Sequence, residues 1–292
     1  MRTLRELIKD GEKRLLENNI ENSTMEARVL LEYICGFNWA QYLLQADTEA
    51  DPQEERRYIE AVERRCGHYP LQYILGTTGF MGLEFMVNES VLIPRQDTET
   101  LVETVLEKAD ISGGDLLDMC TGSGCILISL MALGHYGKGT GVDISGDALR
   151  TARMNGIFNR QAWQKDGRTE ESLEWIQSNL FSEVRGTFDV IVSNPPYIPG
   201  EVIETLMPEV RDFEPRLALE GADRGLEFYR KITDRAADYL KPSGWLFFEI
   251  GCEQAAEVSQ MMAEKGFKEI HTVRDLAGLD RIVTGHICHN GG

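Results

Sequence analysis

Four consecutive residues, Asn194-Pro195-Pro196-Tyr197, combine the groups needed to hold a planar –NH2 group. They follow residues 188–192, an apolar run rich in β-branched side chains that predicts a buried strand. The two prolines end that strand because neither can donate to a ladder, and Asn194, preceding a proline, is held in extended backbone. The strand end therefore offers a carboxamide oxygen, backbone carbonyls and an aromatic ring. The alternative is an ordinary turn, in which Asn-Pro and Pro-Pro also occur.

A second candidate site is the segment Asp118-Met119-Cys120-Thr121-Gly122-Ser123-Gly124, where a predicted strand meets a predicted helix. Glycines there allow the backbone to approach a ligand, and the helix N-terminus supplies N–H donors. Leu127 stands where the dinucleotide fingerprint G-x-G-x-x-G needs its third glycine, which disfavours hydride-transfer cofactors. No Gly-Lys-Ser/Thr follows, so a phosphate loop is disfavoured as well.

Two acids frame this glycine segment. Asp143 ends the next predicted strand, about twenty residues on, where an acid can accept both hydroxyls of a ribose. Asp118 is placed to meet an ammonium group. The pair favours a ligand with an amino-acid end, a ribose and a sulfonium centre over a pyrophosphate, and the alternative is a glycine turn with a helix-capping acid.

The elements that position these residues alternate between strands and helices, which predicts an α/β, doubly wound parallel sheet with two consecutive closing strands. The predicted strands are 116–119, 139–143, 173–176, 188–192, 245–250, 267–273 and 281–287. The predicted helices are 125–133, 148–155, 226–240 and 255–264, with a surface loop at 161–172. Asp97 is predicted to cap a further helix, and Arg95 is either a surface charge or a residue on the substrate side.

The chain before this pattern reads as a helical bundle over residues 1–75. Ser23 and Glu26 predict a capping box, and Asp51-Pro52 predicts another helix start. The Glu-Glu-Arg-Arg and Glu-Arg-Arg runs of that helix are expected on a solvated face. Residues 76–94 predict a β-hairpin linker around Gly82, which leaves 95–292 as the larger domain.

Bulk composition limits the partners. The chain of 292 residues has a formal net charge of −18, which argues against nucleic acid and anionic membranes as the main partner. Its six cysteines show no Cys-x-x-Cys spacing, so we expect no metal site and no disulfide framework. No apolar run approaches a membrane span, and a cytoplasmic monomer is expected.

The two candidate sites together resemble class I S-adenosylmethionine-dependent methyltransferases that modify planar –NH2 nitrogens. Over nearly its whole length the chain more closely resembles the release factor glutamine methyltransferase family of the HemK/PrmC type. The matching segments are Pro70-Leu71-Gln72-Tyr73-Ile74-Leu75-Gly76, Ile93-Pro94-Arg95-Gln96-Asp97-Thr98-Glu99, Asn194-Pro195-Pro196-Tyr197-Ile198, Glu214-Pro215-Arg216-Leu217-Ala218-Leu219 and Asp275-Leu276-Ala277-Gly278-Leu279-Asp280-Arg281.

This resemblance implies methylation of the side-chain amide of the glutamine in the Gly-Gly-Gln tip of peptide-chain release factors, with S-adenosyl-L-homocysteine as the second product. A helical module that precedes a catalytic one most often recognises a partner, so residues 1–75 are expected to recognise the substrate. The resemblance also implies that residues 120–124 wrap S-adenosyl-L-methionine and that Asp143 binds its ribose. Asn194 and the Pro195 carbonyl would hold the amide, flanked by Pro196 and Tyr197.

The chain departs from the family pattern at two places. Cys120 replaces a loop glycine, so we expect its backbone not to need a positive φ. Leu180 stands where relatives offer an aromatic to the adenine, and Asn179 is expected to reach the base edge instead.

Two other functions remain open on the sequence. An adenine-N6 methyltransferase would use the same Asn-Pro-Pro-Tyr motif on an exocyclic amine, although the acidic composition and the lack of a basic target-recognition region oppose it. A non-catalytic cofactor-binding protein is opposed by the intact motif.

Overall fold

The computed structural model describes residues 2–288, so Met1 and residues 289–292, which the predicted domain ranges include, lie outside the described part. The chain forms two units. One contains the chain up to Gly76 together with Met207–Phe213, and the other contains Thr77–Leu206 and the chain from Glu214 onward. The predicted sequence ranges did not anticipate the short segment that joins the first unit from far along the chain.

Helices and strands follow the predicted order closely. The helices are α1 Leu4–Glu17, α2 Ser23–Cys35, α3 Trp39–Gln45, α4 Pro52–Cys66, α5 Leu71–Leu75, α6 Gln96–Ala109, α7 Cys125–Leu133, α8 Gly146–Phe158, α9 Arg160–Trp163, α10 Gly200–Ile203, α11 Pro208–Phe213, α12 Arg216–Leu219, α13 Glu227–Tyr239 and α14 Ala255–Glu264. The strands are β1 Thr77–Phe80, β2 Leu83–Met86, β3 Asp115–Met119, β4 Lys138–Asp143, β5 Leu173–Gln177, β6 Phe188–Ser193, β7 Leu240–Glu249, β8 Phe267–Arg274 and β9 Asp280–Ile287.

In the first unit, the helix starts differ in part from the prediction. Asp51 caps α4 by accepting from the N–H groups of Gln53 and Glu54, as predicted. The predicted capping box of Ser23 and Glu26 is wrong, because α2 begins at Ser23 itself and the carboxylate of Glu26 turns inward. Reciprocal capping boxes occur instead at the starts of α1 and α3.

Glu26 turns inward because it pairs with Arg65 of α4. The Nε atom of Arg65 lies 2.5 Å from Oε2 of Glu26, and Nη2 lies 3.0 Å from Oε1 of Glu209 on α11. Arg65 is 6% exposed, so the prediction that its run lies on a solvated face is wrong at this residue. The guanidinium therefore joins three helices of the first unit through two carboxylates.

The second unit begins with the predicted hairpin, β1 paired antiparallel with β2. The side chain of Asn155 on α8 fixes this hairpin, since it accepts from Met86 N at 2.7 Å and donates to Met86 O at 3.0 Å. The same amide donates to the carbonyl of Ser123 at 2.9 Å. One buried side chain thus connects the hairpin to the glycine segment.

The main sheet has the order β5-β4-β3-β6-β7-β9-β8, in which β9 runs antiparallel to both neighbours and the other pairs are parallel. The doubly wound α/β fold is confirmed. The chain winds outward from β3 through β4 and β5, then returns to place β6 on the other side of β3. Ligands of such sheets bind at the carboxyl ends of the strands beside this reversal, and both candidate sites follow β3 and β6 directly.

Two local predictions for the second unit are wrong. Asp97 does not cap α6, which has Arg95 at its N-cap position without a side-chain bond, and Asp97 pairs with Arg281 at 3.3 Å instead. The predicted loop 161–172 contains the end of α9, where Trp163 is buried and donates to Gly156 O at 2.7 Å. Within residues 2–288, no helix combines the length and the apolar character that crossing a membrane requires.

The buried guanidinium gives a stability prediction. Arg65→Met leaves the carboxylate of Glu26 buried without its partner, so we expect a loss of about 3 kcal/mol or more in the first unit. Hydrogen exchange of the α2 and α4 amides measures that loss locally. Arg56→Met, an exposed arginine on the same helix, is the matched control and should change stability by about 0.5 kcal/mol or less. Equal protection in the two variants would contradict the structural role of Arg65.

Candidate active site

A cavity of about 300 Å³ opens at the carboxyl ends of β3, β4 and β6. The predicted site residues that line it are Cys120, Thr121, Gly122, Ser123, Asp143, Asn179, Leu180, Asn194 and Pro196. Those that lie outside its lining are Asp118, Gly124, Pro195 and Tyr197. Two segments separated by about seventy residues in sequence therefore meet around one space.

The loop between β3 and α7 depends on three left-handed residues. Gly122 has a φ of +55°, and a Cβ built on it would stand in open space, so its bare backbone leaves room for a ligand. Gly124 has a φ of +78°, and a Cβ there would come within 2.9 Å of the Trp175 ring. Cys120 has a φ of +63°, so the expectation that its backbone would not need a positive φ is wrong. Cys120 therefore adopts a backbone conformation that glycine favours, although it has a side chain.

Asp143 holds this loop from the neighbouring strand. Its Oδ2 accepts from Gly122 N at 2.9 Å, and its Oδ1 accepts from Ser145 N at 2.9 Å. Burial raises the pKa of this carboxyl. Each oxygen of a carboxylate can accept more than one hydrogen bond, so Asp143 can also accept from hydroxyl groups of a ligand in the cavity.

Asp118 is fully buried behind the same loop. Its Oδ2 accepts from the Thr121 hydroxyl at 2.6 Å, while Oδ1 has no hydrogen-bond partner among residues 2–288. Burial raises the pKa of Asp118 to about 7. Its visible role is to hold Thr121, and direct contact with an ammonium group stays a prediction.

The backbone after β6 is packed closely against glycines. A Cβ on Gly221 would lie 2.6 Å from Pro196 O, and one on Gly225 would lie 2.0 Å from Tyr197 O. The Gln254 side chain donates to the same Tyr197 carbonyl at 3.2 Å. With two prolines fixing φ inside it, this stretch has little conformational freedom.

Two acceptors of the Asn-Pro-Pro-Tyr motif remain unused. The Asn194 Nδ2 group donates to the hydroxyl of Thr98 at 3.4 Å, so the amide nitrogen is the engaged end of the side chain. Within residues 2–288, Asn194 Oδ1 and the Pro195 carbonyl accept no hydrogen bond. Asn194 lines the cavity, so its oxygen is available to an N–H group of a ligand there. Pro195 lies outside the lining, and contact of its carbonyl with a ligand stays a prediction.

Tyr197 is oriented away from the cavity lining. Its hydroxyl donates to Oε1 of the buried Glu249 at 3.3 Å, and its ring packs against the core cluster on that side of the sheet. Stacking of this ring on a substrate amide stays a prediction.

The opposite wall of the cavity contains Leu180, whose φ is +51°. The Ser178 hydroxyl donates to Leu180 O at 2.7 Å and fixes that turn. Asn179 lines the cavity beside it, and its contact with a base edge stays a prediction.

The sequence analysis did not single out Thr98, Glu249 or Gln254 as functional. Glu249 could have been identified from the sequence, since it is an acid inside an apolar strand, as Asp118 is. Thr98 and Gln254 could not have been identified in this way, because their hydrogen-bond partners are distant in sequence. Arg95, which sequence left undecided, lines the cavity and forms an ion pair with the buried Glu214.

Comparison with known proteins now assigns the family. Residues 6–76 match the PrmC N-terminal domain family and residues 95–209 match the methyltransferase small domain family. The chain is 39% identical to the release factor glutamine methyltransferase of Geobacter sulfurreducens, covering 98% of this chain and 97% of that protein. The Agrobacterium fabrum enzyme of the same name is 36% identical, with 93% of each chain covered. This chain belongs to the release factor glutamine methyltransferase family.

The fold of this methyltransferase is also found in more distant enzymes. The Thermus thermophilus 16S rRNA N2 G1207 methyltransferase, solved with AdoMet and guanosine, superposes with a TM-score of 0.50 at 17% identity. The superposition covers 72% of this chain and 49% of that one.

Three sequence motifs of the methyltransferase meet at the cavity and behind it. The carboxylate of Glu214 binds Arg95 and also accepts from Ile93 N at 3.4 Å, which joins two of the motifs. Arg281, from the third, pairs with Asp97 at 3.3 Å and with Asp275 at 3.0 Å. Motifs that are far apart in sequence thus support the same region of the second unit.

The left-handed Cys120 gives a second prediction. Cys120→Gly relieves the backbone strain, whereas Cys120→Ala removes the same thiol and keeps the Cβ. We expect the glycine variant to be more stable than the alanine variant by about 1 kcal/mol in denaturant unfolding. An alanine variant at least as stable as the glycine variant would show that the φ at this residue carries no strain.

Proposed function

We propose that this enzyme transfers the methyl group of S-adenosyl-L-methionine to the side-chain amide nitrogen of the glutamine in the Gly-Gly-Gln motif of peptide-chain release factors. The observation that carries the proposal is the unused acceptor Asn194 Oδ1, which lines the same cavity as the glycine loop. The unpaired Pro195 carbonyl follows it in backbone that two prolines restrict. The family names of its relatives support the same substrate class.

The residues present fit S-adenosyl-L-methionine. The open face of Gly122 leaves space along the loop, and the Asp143 carboxylate lies at the cavity with capacity to bind two ribose hydroxyls. Thr121, Ser123, Asn179 and Leu180 would complete the enclosure. When bound, the cofactor would supply an electrophilic methyl group on a positively charged sulfur.

The protein's contribution to catalysis is positional. An amide nitrogen is a weak nucleophile because its lone pair is delocalised into the carbonyl. Asn194 Oδ1 and the Pro195 carbonyl would accept hydrogen bonds from the two N–H groups, orient the nitrogen towards the methyl group and stabilise the positive charge that develops on it. The nitrogen would release one of its two protons to water as the methyl group takes its place. Fixed dipoles of this kind require no reorganisation during the reaction, and positioning alone can supply about 7–11 kcal/mol.

The experiment that tests the function uses mass spectrometry of a purified release factor incubated with the enzyme and cofactor. We expect one added methyl group on the glutamine of the Gly-Gly-Gln motif, and none on a release factor whose motif is Gly-Gly-Ala. A parallel reaction on adenine-containing DNA tests the alternative substrate. Methylation of the DNA with an unmodified release factor would overturn the proposal.

Removing the first acceptor gives a third prediction. Asn194→Ala loses the oxygen that binds the substrate N–H, so we expect kcat to fall about 100- to 1,000-fold, as for the loss of one preorganised polar group. Cofactor affinity, measured by calorimetry on the same preparation, should change little and reports that the fold is intact. Turnover close to wild type would remove this mechanism.

The ribose assignment gives a fourth prediction. Asp143→Ala removes an acceptor of two charge-assisted hydrogen bonds and frees Gly122 N, so we expect a ten- to hundredfold rise in the Kd for S-adenosyl-L-methionine. Glu174→Ala, an exposed acid on the next strand, controls for the change in net charge. An unchanged Kd in the Asp143 variant would count against the assignment.

A further inference from the structure

A buried carboxyl lies directly behind the Asn-Pro-Pro-Tyr motif. Glu249 ends β7, is 2% exposed and stands beside the end of β6, where Ser193 pairs with Phe248. Its Oε1 accepts from the Tyr197 hydroxyl, but its Oε2 is buried with no partner at hydrogen-bond geometry among residues 2–288. A buried acceptor without a donor destabilises a fold, so packing alone does not explain this residue.

Thr98 connects the same carboxyl to Asn194. Thr98 lies in the first turn of α6, is 3% exposed and accepts from Asn194 Nδ2 at 3.4 Å. The hydroxyl of Thr98 also lies close enough to Glu249 to lower the pKa of the carboxyl, although the two groups are not at hydrogen-bond geometry. Asn194, through Thr98, and Tyr197, directly, are therefore both connected to the buried Glu249.

The direction of these hydrogen bonds depends on the charge of Glu249. An ionised carboxylate only accepts, so the single hydroxyl proton of Thr98 is directed to it, and Thr98 can only accept from Asn194. Asn194 must then present Nδ2 to Thr98 and Oδ1 to the substrate. A protonated Glu249 can donate to Thr98, whose own proton is then free to bind Oδ1 of a rotated Asn194. That rotation would turn an N–H group towards the N–H bonds of the substrate.

We propose that Glu249 is a positioning residue, whose ionised carboxylate acts through Thr98 to hold the Asn194 side chain with its oxygen towards the substrate amide. Glu249 makes no bond to the substrate and exchanges only its own proton with water. The proposal rests on the proposed amide methylation.

The surroundings of Glu249 allow this charge to change near neutral pH. Burial raises the pKa of Glu249 to about 7, opposed by Thr98, the positive charge of Arg281 and the Tyr197 hydroxyl. The titratable and charged groups that face it are Tyr197 after β6, Tyr229 on α13, Cys125 on α7, Asp97 on α6 and Arg281 on β9, which is also paired with Asp275.

The first test measures kcat with saturating cofactor and release factor between pH 6 and 9. We expect the wild-type kcat to rise with pH through about 7 as Glu249 ionises. Glu249→Gln should lose that part of the rise and keep only the part due to other groups such as Asp118, whose pKa is also raised to about 7. At pH 8 the variant should be slower by about tenfold, a difference of about 1.4 kcal/mol. Glu257→Gln, an exposed acid on α14, should keep the wild-type rate and profile.

Thermal stability distinguishes a positioning role of Glu249 from a purely structural one. The pKa of Glu249 in the folded protein lies above its usual value of 4.5, so the native state binds this proton more tightly than the unfolded chain does. The stability that the protonated carboxyl contributes is therefore lost as the pH rises from about 4.5 through 7. Glu249→Gln should therefore melt at a higher temperature than wild type at pH 8 and at a similar one at pH 5. A merely structural role would make the variant less stable and less active together.

A double-mutant cycle tests the route through Thr98. Thr98→Val removes the hydroxyl at similar volume, and combining it with Glu249→Gln should reduce kcat no further than the more severe single change. A wild-type kcat in Glu249→Gln, an unchanged acid limb in that variant, or additive losses in the cycle would each overturn the positioning role. Failure of the wild-type enzyme to methylate the release factor at any pH would instead overturn the proposed function.

Discussion

The close packing of the Pro196–Tyr197 backbone against Gly221 and Gly225 is the constraint on which the rest of the site depends. The carbonyl of Tyr197 lies where a Cβ of Gly225 would be, so no larger residue fits there without moving the motif. With two prolines fixing the chain direction, the strand end can hold unpaired acceptors in place without the substrate. The proposed orientation of a substrate amide by oxygen atoms requires this rigidity.

Three further acids lie near the carboxyl ends of strands in the second unit. Asp118 of β3, Asp143 of β4 and Glu249 of β7 all have pKa values raised by burial. Each is tied to a different part of the machinery: the Thr121 hydroxyl, the Gly122 amide and the Tyr197 hydroxyl, respectively. Buried carboxyls are costly to the fold, and their position suits a site in which hydrogen-bond direction matters more than stability.

Much of this organisation could be predicted from the sequence, because the fold depends on periodicity and on punctuation by proline and glycine. The strands β3, β4 and β6 and the residues following them were identifiable in that way. The burial of Arg65 and the inward turn of Glu26 were not, since a charged run looks the same whether or not a distant carboxylate such as Glu209 meets it. The positive φ of Cys120 could not be predicted from residue type, because cysteine rarely adopts it. The strand geometry and the contact of Gly122 N with Asp143 impose this conformation. Trp163 was hidden by its polar neighbours.

Met207–Phe213 belongs to the first unit although it lies far along the chain, and this limits how such chains can be recombined. The helical part is not a detachable leader, because one of its helices is encoded more than a hundred residues downstream, shortly after the Asn-Pro-Pro-Tyr motif. A chimera that exchanged only the first 76 residues with another protein would leave α11 with foreign neighbours and Glu209 without Arg65. Grafting experiments therefore have to exchange both pieces together.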